Sequence, residues 1–126
     1  MSNSDATDFD RWLADTFAST GGFTALILLI EIGADSVVPV ASSYLHIIGD
    51  EAAWPEFAAL FERSGKPWNG VSLLAEAAAE GGPVMDFLAR ERLRERAEAV
   101  NEDRMRLNEG GFFDRFGRAM RVDPIT

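Results

Sequence analysis

The sequence predicts a mainly α protein: a single-domain bundle of about six helices around a buried hydrophobic segment, residues 23–48. Three observations lead there. Residues 23–32 form the densest apolar run in the chain, interrupted only by Thr24 and Glu31, and a segment apolar on every side is buried all round. On either side, apolar residues recur at helical spacing in segments bounded by glycine or proline. Partners for a central strand look poor, because residues 37–40 contain Pro39 and residues 71–74 are few. The alternative is an α+β fold with residues 24–32 as a buried strand.

Each element follows from local signals. The first helix is expected from Asp8 to Thr20: Phe9, Trp12, Leu13 and Phe17 share a face, Ser4 or Thr7 caps the start, and Gly21-Gly22 stops it. A buried helix is expected over residues 24–32, ended by Gly33. A second follows to Ile48, with Asp35 or Ser36 as its cap and Pro39 in its first turn. Residues 50–65 carry Pro55 near the start, Phe57, Leu60 and Phe61 on one face, and Gly65 as the stop. Residues 66–70 read as a turn, and residues 72–80, SLLAEAAAE, as helix by intrinsic preference. The longest helix is expected over about residues 83–108. An amphipathic C-terminal tail, residues 110–126, follows it.

Composition narrows the function classes. A chain of 126 residues with 47% apolar content makes one domain of ordinary size. With no cysteine, a disulfide scaffold, a thiolate metal site and a cysteine nucleophile are excluded. The central apolar run falls short of the ~20 residues a bilayer span requires, and the N-terminal residues lack a signal-peptide pattern, so a cytoplasmic location is expected. The net charge of −9 lies wholly in residues 1–82, where 12 acids face three bases; residues 83–126 balance nine arginines against nine acids. That distribution disfavours phosphate contacts, so no nucleic acid and no membrane is expected as partner.

Candidate sites are few. His46 is the only histidine, and on a helix Ser42, His46 and Asp50 would stand in line, yet a regular helix offers neither an exposed nucleophile elbow nor oxyanion donors. Glu31 is isolated in the apolar run, and with Asp35 it makes two carboxylates without a third ligand. Asp5, Asp8, Asp10 and Asp15 complement a helix dipole. Trp12, Trp54 and Trp68 suit a ligand pocket or a core. No catalytic residue, cofactor or metal is therefore expected. The expected interface is a narrow strip at Leu93, Ala97, Val100 and Leu107, continued by Phe112, Phe113 and Phe116, which need cover. The functional expectation is a small helical interaction or regulatory protein, non-enzymatic, acting through a homodimer or a protein partner. The alternative is a small-ligand-binding or hydrolytic domain using Glu31, Asp35, His46 and the tryptophans.

Overall fold

The computed structural model describes residues 6–49 and 51–123. Among them are three α-helices and one antiparallel four-stranded sheet, so the fold is α+β and not a six-helix bundle. The chain runs α1 (Asp8–Thr20), β1 (Phe23–Ile32), β2 (Val37–Ile47), α2 (Trp54–Glu62), β3 (Gly70–Glu76), α3 (Asp86–Glu102), a 3-10 turn (Arg104–Asn108) and β4 (Gly111–Asp114). The sheet order is β2-β1-β3-β4.

The central segment corrects the helical expectation at its root. Residues Phe23 to Ile30 are all buried, and they form a strand with neighbours on both edges and helices on both faces. A strand covered on both faces has no polar side to show, so it loses the alternation that marks a half-exposed strand. Both partners judged too poor are the real ones. β2 pairs along β1 from Phe23 opposite Ile47 to Ile32 opposite Val37. Pro39 fits because the register shifts there by a bulge and β2 is an edge strand, so no inner hydrogen bond is lost. The expected second helix is thus an extended strand, rich in valine and hydroxyl residues. β3 continues past Leu74 to Glu76 and pairs Thr24–Ile30 of β1. Here tertiary pairing overrides the helical preference of its alanines.

Two apolar layers sandwich the sheet. On one face Ala25, Ile27, Leu29, Val71, Leu73 and Phe113 meet Phe9 and Leu13 of α1 and Trp54, Phe57 and Phe61 of α2. On the other, Leu28, Ile30 and Phe112 meet Val100 of α3, Leu107 and Val122. α1 is capped by Thr7, whose hydroxyl accepts from the Asp10 amide at 3.0 Å while the Asp10 carboxylate accepts from the Thr7 amide at 3.0 Å.

The C-terminal third also departs from expectation. The helix expected over about residues 83–108 spans only Asp86–Glu102, and the tail expected to be amphipathic begins as a strand. Gly110 makes that strand possible. Its φ is +76°, and a Cβ there would sit 2.5 Å from the Leu73 carbonyl oxygen. After β4 the chain turns on Asp114, which accepts from the amides of Phe116 (2.8 Å) and Arg118 (3.1 Å) and from Arg118 Nε (2.8 Å). The returning residues then pair with β4, the Met120 amide donating to the Phe112 carbonyl at 2.7 Å. This closes the β4 edge.

If β1 is central, Leu28→Ala leaves a cavity between sheet and α3 and should lower the unfolding free energy by about 2–5 kcal/mol in urea titration. A loss below about 1 kcal/mol would show Leu28 at a surface instead.

Candidate functional site

Three features stand out from a well-packed interior: a polar chain linking β1, β2 and α3, a buried arginine on α3, and the outer edge of β2.

The polar chain joins residues far apart in sequence. Thr24 and His46 are opposite one another on β1 and β2, and both face α3. Thr24 Oγ1 lies 2.8 Å from His46 Nδ1, and His46 Nε2 donates to Asp86 Oδ1 at 2.7 Å. The Val84 amide also donates to Thr24 Oγ1, at 3.0 Å. With Asp86 an acceptor, Nε2 carries the proton, and in the neutral imidazole Nδ1 accepts the hydroxyl proton of Thr24. The hydrogen bond from His46 holds the Asp86 carboxyl below its ordinary value of 3.8; burial opposes this, while the charges of His46 and Arg90 add to it. A lowered folded value means that this contribution to stability is present above pH 3.8 and disappears as pH falls through the folded value.

The order carboxylate, imidazole, hydroxyl is that of a hydrolytic triad, but the hydroxyl cannot act as a nucleophile. Thr24 is 0% exposed, and its oxygen is occupied on both sides. A nucleophile must meet its substrate at an open position facing oxyanion donors. The arrangement instead fastens the start of α3 to the sheet.

Arg96 does the same further along α3. Its side chain is 3% exposed. Nη1 donates to the Arg106 carbonyl (2.9 Å) and Glu109 Oε1 (3.2 Å), and Nη2 to Ser72 Oγ (3.0 Å) and the Glu109 carbonyl (3.1 Å). Burial pulls the guanidinium pKa down and the Glu109 carboxylate opposes it. Nε has no partner among the described residues. The shallow recess beside it, about 150 Å³, is lined by Arg92 and Arg106 but equally by Glu76, Glu95 and Glu109, so it carries no excess of positive charge.

The residues singled out from the sequence do not converge. Ser42 is exposed on β2 and is not in the His46 chain; Asp50 and Asp5 lie outside the described residues. Glu31 and Asp35 are exposed at the far end of the β1–β2 hairpin, roughly 23 Å of strand from Thr24. Among the described residues no group of three or more His, Asp or Glu side chains is placed to hold a metal ion. Trp54 and Trp68 belong to the aromatic core under α1 and α2, with Trp12 against it. Trp54 Nε1 donates to the Arg115 carbonyl at 3.0 Å. The Arg115 guanidinium lies 4.9 Å from the Trp68 ring, bonds the Trp68 carbonyl at 3.0 Å and pairs with Glu62.

The expected interface strip is covered by its own chain. Val100, Leu107, Phe112 and Phe113 are buried in the core, and Leu93 and Ala97 are partly buried against it. Phe116 alone of that set is exposed, at 68%.

Compared with known proteins, the chain matches no family model, and no curated protein and no solved structure is significantly similar to it.

The β2 edge is the third feature, and sequence reasoning missed it. Strand β2 pairs only with β1; among the described residues no hydrogen bond to its outward main-chain groups is found. Beside it runs a groove of about 360 Å³ whose apolar lining is Ile27, Leu29, Ala41, Leu45, Leu60 and Phe61, with Ser42, Ser43, Tyr44, Ser64 and the cationic Arg63 completing it. A signal was present: between Asp35 and Asp50 there is no Asp, Glu, Lys or Arg, in a chain that is 26% charged.

Thr24→Val keeps shape but leaves the Val84 amide without its acceptor and His46 without its donor. It should cost about 1–3 kcal/mol in denaturant titration. An unchanged midpoint would mean that the polar chain does not fasten α3.

Proposed function

We propose that this is a non-enzymatic interaction protein that binds through the open edge of its sheet. The observation that carries this reading is the contrast between the two outer strands. β4 is closed by the returning tail, whereas among the described residues the outward main-chain edge of residues 41–47 of β2 has no cover, and those residues include no Asp, Glu, Lys or Arg. Natural sheets blunt their edges with proline, bulges, lysine or a covering segment, because an unpaired edge recruits other strands. β2 has such protection only in its first part, at Pro39 and the bulge. The rest, ASSYLHI, is left as a strand acceptor.

Strand addition separates two tasks. Main-chain hydrogen bonds supply affinity with little regard to sequence, and side-chain pockets supply choice. The groove between β2 and α2 is placed for the second task, with Leu60 and Phe61 forming its far wall. Association through Leu93, Ala97, Val100, Leu107, Phe112 and Phe113 loses its motive, since those side chains already have cover and Phe116 alone of the set is left exposed. The proposal therefore moves the binding surface from the C-terminal third to β2.

Selection of displayed random peptides, each long enough to form one strand, on sparsely immobilised protein tests this. Extended, uncharged, β-branched or aromatic sequences should be enriched, and their binding should be lost with Ser43→Lys but kept with Phe116→Ala. Ser43 and Phe116 are both exposed, so neither change disturbs the core. Enrichment of peptides indifferent to Ser43→Lys would contradict the reading.

A further inference from the structure

We infer that the occupant of the β2 edge is a second copy of this chain, paired strand to strand about a two-fold axis near Ser43, which joins two four-stranded sheets into one of eight strands. This rests on the reading of β2 as a strand-accepting edge and adds to it the identity of the strand.

The exposed apolar side chains around the edge favour a whole second body over an isolated extended segment. The described residues include six large apolar side chains that are well exposed: Val38, Ile48, Leu60, Met85, Phe87 and Phe116. Five of them border β2. Val38 lies on the strand and Ile48 directly follows it. Leu60 stands on α2 across the groove, on one side of the sheet. On the other side Met85 and Phe87, 69% and 67% exposed, flank Asp86, whose carboxylate is bonded to His46 of β2. An added single strand is about 4.8 Å wide and lies in the plane of the sheet. The residues on α2 and at the start of α3 stand above and below that plane, on helices about 10 Å across. A lone strand can reach Leu60 through the groove but covers little of Met85 and Phe87 on the opposite side. A second copy brings its own α2 and α3 to the same two levels.

Charge decides in the same direction. Two bodies of net charge −9 repel unless the surfaces that meet are neutral or complementary; the chain between Asp35 and Asp50 carries no Asp, Glu, Lys or Arg, and the groove beside it holds one charged residue, the cationic Arg63. Antiparallel pairing about Ser43 keeps each face of the strand on its own side. Ala41 then stands opposite Leu45, Ser42 opposite Tyr44, and Ser43 opposite its own symmetry mate. Within the paired strands no like charges are brought together, and a small side chain, Ser43, lies on the axis.

The symmetry supplies the test. Wild-type protein should sediment as a dimer at high micromolar concentration and dissociate on dilution. Ser43→Lys and Ser43→Glu each set two like charges face to face at the axis, and each should weaken the dimer by about tenfold or more. An equimolar mixture of the two variants should recover dimer, because Lys then meets Glu; circular dichroism confirms that each variant is folded. A wild-type monomer at high micromolar concentration overturns the second copy, as does a dimer that both substitutions leave unchanged or a mixture that fails to recover. The monomer that still binds the selected peptides removes the second copy alone, while one that binds none removes the strand-accepting edge as well.

Discussion

The structure depends on the pairing of β1 on both edges. Eight successive residues, Phe23 to Ile30, are buried, and the main-chain N–H and C=O groups there are out of reach of water. Each such group left unpaired costs as much as a lost hydrogen bond, so the strand requires partners on its left and its right. β2 and β3 provide them, and the apolar side chains on the two faces require α1 and α2 on one side and α3 on the other. Once that demand is met, two strands are left outermost. The chain has enough tail to close β4 and nothing described to close β2.

The two faces are held by different physics. Under α1 and α2 the contact is apolar and aromatic, with Phe9 within 4.8–5.4 Å of the rings of Phe57, Trp54 and Phe113. Such ring pairs add to the burial of area and fix the angle at which elements meet. α3 has little apolar surface to offer: its buried residues are Ala89, Arg96 and Val100. Its position is set instead by hydrogen bonds, from Asp86 through His46 to Thr24 at one end and from Arg96 to Ser72 further along. Thr24, Ser72 and Arg96, the buried polar residues among those described, all belong to this face. Buried polar groups are costly when misplaced, which makes them good at fixing one arrangement.

How much of this was legible follows from which rule each element obeys. α1 was readable because its cap, apolar face and glycine stop all agree. The burial of residues 23–32 was readable from composition, but their conformation was not, because burial on both faces erases the alternation that distinguishes strand from helix. β2 was hidden by Pro39, which is an obstacle inside a sheet and harmless at an edge bulge. β3 was hidden by alanines whose preference for helix the β1 ladder outweighs. Phe112 and Phe113 announced a need for cover, but not that their own chain supplies it. Arg96 carried no signal at all: it stands among nine arginines of the C-terminal part, and only the fold shows that it points inward. Likewise Thr24, His46 and Asp86 lie 22 and 40 residues apart, so the chain they form exists only after the sheet has closed.

The central claim is that β2 has one satisfied edge and one open edge that a further strand completes. Residue-resolved amide hydrogen exchange over residues 41–47, followed as a function of protein concentration, tests it most directly. In dilute protein the amides directed toward β1 should exchange slowly and the alternate ones fast, while β1 stays protected throughout. On raising the concentration the fast set should become slow. If all seven amides are protected in dilute protein, the edge is already covered, and if the alternate ones stay fast at the highest concentration reached, no strand is added there; either result contradicts the account.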